Sequence, residues 1–161
     1  MTFRRSIQAL AIGAALSLLT PAVMAQGRES ATPAPTAMPK IHRLVLQVNT
    51  ADPATMNLAL NNASNVEQNY RDLGEKVEIE IVAFGPGLHM LRDDTSPVKD
   101  RIKAMAEKTP SITFKACGNT QENMAKQENK PIHLISQASV VKSGVVRVME
   151  LQEQGWSYVR P

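Results

Sequence analysis

Residues Ile41–Phe84, IHRLVLQVNTADPATMNLALNNASNVEQNYRDLGEKVEIEIVAF, decide the fold. Ile41–Val48 is β-branched and leucine-rich, the pattern of a strand buried on both faces. Asp52-Pro53 supplies a helix N-cap followed by proline at the first helical position. Met56, Ala59, Leu60, Ala63, Val66, Tyr70 and Leu73 keep a three/four spacing, and Gly74 supplies the stop. Val77–Phe84 reads as the second strand. Its Val77, Ile79 and Ile81 alternate with Glu78 and Glu80, which predicts one partly wet face, as at a sheet edge.

The same alternation continues toward the C-terminus. Gly85-Pro86-Gly87 breaks the second strand, and a short turn leads to a helix capped near Asp94-Thr95. Val98, Ile102, Met105 and Ala106 form its apolar face, and Thr109-Pro110 ends it. Ser111–Ala116 is the third strand. Cys117-Gly118-Asn119-Thr120 turns into a polar helix reaching about Gln127, and Pro131–Ser136 fits either a helical turn or a strand. Ala138–Val141 is the fourth strand. Ser143 caps a last helix with Val145, Val148, Met149 and Leu151 on its apolar face, stopped by Gly155 before the short strand Trp156–Val159. Strand–helix alternation with short connections implies right-handed crossovers. The expectation is a three-layer α/β domain around a mostly parallel sheet of five strands.

Upstream, residues 1–25 have the order of a cleavable export signal: Arg4 and Arg5, an apolar stretch from Ile7 to Leu19, then small residues ending at Ala25. The apolar stretch is too short for hydrocarbon, which takes roughly 20 residues, so stable membrane insertion is not expected. The adjacent arginines hint weakly at twin-arginine export. With Cys117 as the lone cysteine, a lipoprotein anchor and a disulfide framework are both excluded. Residues 26–39, QGRESATPAPTAMP, read as a flexible Pro/Ala-rich tether. Residues 40–161 are left as one folded domain without internal repeats, and the expected compartment is the periplasm. The chain carries 18 basic and 15 acidic side chains, with 43% hydrophobic residues. Removing Arg4 and Arg5 with the signal leaves it close to neutral, without a nucleic-acid footprint.

In parallel sheets ligands bind beyond the carboxyl ends of strands. With strand one flanked by strands two and three, one rim would gather Asn49, Gly85, Gly87, His89 and the Cys117–Thr120 loop. Cys117 is the sharpest feature there. At a strand end facing the free N–H groups of a helix's first turn, a thiol is pushed below its reference of about 8.5. Gly118 would permit close approach, and Asn119 or Thr120 would cap the helix. Cys117 therefore reads in two ways: as a nucleophilic, sulfur-accepting thiol or as a small buried core residue. His89 stands either as a proton acceptor near that thiol or as a bystander. His42, His89 and His133 show no ligand spacing, so no metal is expected. Asp93-Asp94 reads as a helix cap. Gly85-Pro86-Gly87 lacks the lysine and the glycine spacing of a nucleotide loop. Met90 and Met105 read as core.

Taken in order, HRLVLQVNTADP, VAFGPGLHML, FKACGNT and VVKSGVVRVMELQEQGWSYVRP resemble the DsrE/DsrF-like family, the fold shared with sulfur-relay TusBCD proteins. The resemblance covers roughly residues 41–161. It implies a flavodoxin-like parallel sheet, no bound organic cofactor, and assembly into homo- or hetero-oligomers, often trimers or hexamers. Cysteine-bearing relay members accept sulfur as a persulfide on a cysteine after a central strand and hand it to a partner protein, and Cys117 matches that type of position. The expectation is an exported carrier of sulfane sulfur. The alternative is a non-catalytic oligomeric module that binds a small ligand or serves as a scaffold, with Cys117 merely packing.

Overall fold

The computed structural model describes residues 40–161; the expected signal and tether lie outside the described residues. Five strands, β1 (Ile41–Val48), β2 (Lys76–Ala83), β3 (Ile112–Cys117), β4 (Ala138–Val141) and β5 (Ser157–Val159), form one sheet in the order β4-β3-β2-β1-β5. Every pairing in it is parallel. Helices α1 (Pro53–Asp72), α2 (Lys99–Lys108), α3 (Gly118–Glu128) and α4 (Gly144–Glu153), with a 3-10 helix at Gly85–Leu91, complete a three-layer, flavodoxin-like α/β architecture.

Period-two alternation divides the strands between two cores. Leu44, Leu46 and Val48 of β1, Val77, Ile79, Ile81 and Ala83 of β2, and Ile112, Phe114 and Ala116 of β3 face α1, the 3-10 helix, α2 and α3. The opposite residues Val45 and Val82 meet Val148 and Leu151 of α4, with Phe84 and Trp156 at the margin. Each fully buried side chain of this kind contributes about 1.5–3 kcal/mol, so the first and larger core dominates stability. Met90 and Met105 belong to it, as the sequence predicts. Asp52 caps α1 by accepting from the Ala54 and Thr55 amides at 3.2 and 2.9 Å.

Several expectations need correction. β2 is central rather than an edge, and β1 lies between β2 and β5 rather than between β2 and β3. The alternating glutamates of β2 mark ion pairs: Glu78 accepts from Arg43 at 3.0 Å, and Glu80 is buried against Arg147 of α4. Asp94 does not cap α2, whose N-cap position is Val98. It pairs instead with Arg92 and Lys130, while Asp93 pairs with Lys99. On α4 only Gly144, Val148 and Leu151 are buried, so Val145 and Met149, expected in the core, are exposed. The ambiguous stretch 131–136 is irregular, tied by a single antiparallel bridge from Leu134 to Arg92. Among the described residues, no helix is long and apolar enough to cross a membrane.

Candidate functional site

Strand order locates the site. The chain steps from β1 to β4 in one direction with α1, α2 and α3 on one face, then returns through α4 on the other to place β5 beside β1. Adjacent strands whose following helices leave on opposite faces open a crevice at their carboxyl ends. Here those strands are β3 and β4, and Cys117, paired in register with Val141, is the last residue of β3.

Alternation along β3 turns Cys117 to the α4 side, opposite Ala116. It occupies the N-cap position of α3, and Ser143 occupies that of α4. The sulfur thus lies where two helix N-termini converge. Burial works against a thiolate there and is the largest single influence. It is outweighed by the Thr120 hydroxyl and by the backbone N–H groups of Gly144, Thr120 and Asn119, and the net effect lowers the thiol below its ordinary value. The Asn119 amide already donates to the Lys142 carbonyl at 3.1 Å, so the weight falls on Thr120 and Gly144. Thr120 is set for this role. Its Oγ1 accepts from the Gly85 N–H at 3.0 Å, which leaves the hydroxyl proton for the sulfur.

Cys117 is 5% exposed, so the thiol lies under the rim rather than on it. Beside it runs an open groove of about 610 Å³ lined by Asn119, Val141, Lys142, Ser143, Val146, Arg147 and Glu150. Two further hollows, of about 450 and 390 Å³, lie at the amino ends of the strands around Glu75–Glu78 and His42–Tyr70, away from these loops.

The other candidates divide. Gly85, at φ +53°, takes a left-handed turn that starts the 3-10 helix and aims its amide at Thr120. Gly87 is packing: a Cβ there would lie 2.1 Å from the Val48 carbonyl oxygen, so it seats the 3-10 helix on the end of β1. Gly118 also faces protein, since a Cβ would meet Val140 Cγ1 at 3.2 Å and the Val141 carbonyl at 3.3 Å. The close approach it permits is that of β4. Neither Asn119 nor Thr120 caps α3 by its side chain. His89 shares a hydrogen bond with Thr95 through Nδ1 at 2.8 Å, on the 3-10 helix rather than at the sulfur. Asn49 is half-buried at the end of β1. The described residues hold no group of three or more His, Cys, Asp or Glu side chains placed for a metal ion.

Sequence reasoning missed Gly144, Lys142 and the Glu80–Arg147 pair. Nothing local signals that the residue after Ser143 delivers an amide to a cysteine on another strand. The buried Arg92 was missed as well. It is 1% exposed and forks between Asp94 and Glu128, joining the end of the 3-10 helix to α3.

No family model matches the chain, and no curated protein does. Among solved structures it is similar to MTH1491, a protein of unknown function from Methanobacterium thermoautotrophicum. The identity is 28% and the TM-score 0.63, over 74% of this chain and 99% of the other.

Proposed function

We propose that this chain is an exported, DsrE/DsrF-like carrier of sulfane sulfur, working in the periplasm through Cys117. The observation that carries the reading is the place of the lone thiol: Cys117 ends β3 at the N-cap position of α3, beside the start of α4. The Thr120 hydroxyl and the backbone there lower the thiol and so favour the thiolate, the nucleophilic form. With thiosulfate as donor, the Cys117 thiolate attacks the outer sulfur. The sulfur–sulfur bond breaks, sulfite departs with the bonding pair, and a Cys117 persulfide remains. A second thiolate, on a partner protein, attacks the outer sulfur of that persulfide and takes it, regenerating the Cys117 thiolate. The exchange balances without a metal, an organic cofactor or an external oxidant.

The test is intact-protein mass spectrometry after incubation with thiosulfate or polysulfide. A gain of one or more sulfur atoms that maps to Cys117 and is lost in Cys117→Ser supports the reading. No adduct, together with an ordinary thiol titration, overturns it.

A second reading is a non-catalytic oligomeric module, trimeric or hexameric, that binds a small ligand or serves as a scaffold. The burial of Cys117 and the exposed apolar residues Val145, Val146 and Met149 favour it. Under this reading Cys117→Ser keeps both ligand affinity and subunit number.

A further inference from the structure

We propose that Glu80 and Arg147 are a positioning pair that holds the first turn of α4 over Cys117 and so sets how readily its thiolate forms. The inference rests on the reading of Cys117 as the reactive thiol and adds what keeps that thiol's surroundings in place.

Glu80 lies in the middle strand of the sheet, facing α4, and is 4% exposed. A carboxylate there needs a partner, and packing alone would be served as well by an aliphatic side chain. Arg147 supplies that partner as a fork, donating from Nε to Oε1 at 2.6 Å and from Nη2 to Oε2 at 2.9 Å. Two parallel bonds to a planar group fix direction as well as distance. Arg147 is three residues beyond Gly144, close to one helical turn, so restraining it restrains the Gly144 amide.

The buried side chains of α4 are Val148 and Leu151, whose contacts resist separation more than sliding or rotation. The helix start packs on Phe84, just beyond β2: a Cβ on Gly144 would stand 2.8 Å from Phe84 Cδ1, so the approach needs glycine. Among the charged groups around the crevice, Lys115 of β3 donates to Ser139 at 2.9 Å, and Glu150 is 3.9 Å from Arg147. Lys142 lines the groove with Arg147 and Glu150. Of these, Glu80 and Arg147 join the sheet to α4.

The experiment measures the iodoacetamide alkylation rate of Cys117 against pH in the mature protein. Wild type is compared with Arg147→Lys, Glu80→Gln and the double variant Glu80→Met/Arg147→Met, each with its melting temperature. Lysine keeps the charge and loses the fork. The apolar pair removes the ionic restraint in a way that buried ion pairs often tolerate. The expected result is folded variants whose profiles shift up by about half a unit, roughly a threefold slower reaction at pH 7. A folded variant with the wild-type midpoint overturns the proposal. If the double variant does not fold, the two single variants decide by the same criterion. A wild-type midpoint at the ordinary thiol value overturns the reading of Cys117 itself, which keeps the two failures apart.

Discussion

At the residue scale the proposed chemistry rests on Cys117 and Thr120, and their roles separate by substitution. Thr120→Val keeps the shape of the side chain and removes the hydroxyl that helps lower the Cys117 thiol. Alkylation of Cys117 at pH 7 should slow by roughly three- to tenfold, as expected when a charged acceptor loses one hydrogen bond partly replaced by water. An unchanged rate would show that the hydroxyl does not reach the sulfur. The lowered thiol also fixes a direction for stability. A group whose native value is depressed stabilises above its unfolded value, and the gain is lost as pH falls through the native one. The melting temperature of wild type minus that of Cys117→Ser should therefore rise as pH is raised through the thiol range. Gly87 is a purely structural residue by contrast. Gly87→Ala should cost about 3 kcal/mol or more by chemical denaturation, because its methyl group would strike the carbonyl that ends β1. The cysteine at a strand-to-helix turn was legible in the sequence because both elements announce themselves locally. Of its partners, Thr120 was legible because it belongs to the same turn, whereas Gly144 was not, because it reaches the site from the end of the neighbouring strand β4.

Between elements, the charge cluster around Arg92 decides how the 3-10 helix and α3 stay together. Arg92 is buried and holds Glu128 well below the usual carboxylate range, to about 2, with Lys130 assisting from the surface. That stabilisation is present above the ordinary glutamate range and is lost as pH falls from there toward about 2. Glu128→Gln should melt earlier than wild type at pH 7, and the gap should close as the pH approaches 2. A gap constant across that range would mean that the carboxylate contributes nothing through its charge. Element boundaries were readable where a signal is contained in a few residues, as for Ile41–Val48 or the Asp52-Pro53 start of α1. Pairing was not. The alternating glutamates of β2 have the pattern of a wet edge strand, and only Arg147, far along the chain, converts Glu80 into an interior residue. The valines and methionine of α4 promised a broad apolar face for the same reason: periodicity tells which residues share a face, not how much of it the sheet covers.

For the whole molecule, the order β4-β3-β2-β1-β5 matters most, because it brings the switch of helix faces to β3 and β4, where the lone cysteine stands. Strand–helix alternation predicted the layers and the direction of the strands. It left open which strand was central, since the return from β4 to β5 across the sheet has no local signature. Among the described residues α4 alone covers its face, and it leaves Val145, Val146 and Met149 exposed. If that stripe joins copies of the chain, Met149→Lys should lower the sedimenting mass of the protein without lowering its helix content. An unchanged mass would place any assembly elsewhere. The central claim concerns a single sulfur, buried yet held below its ordinary thiol value, and the pH dependence of native-state alkylation at Cys117 tests it most directly. The account predicts reaction without unfolding and a midpoint below the ordinary thiol value of about 8.5. A midpoint at or above that value, or a thiol that reacts only when the domain opens, would contradict it.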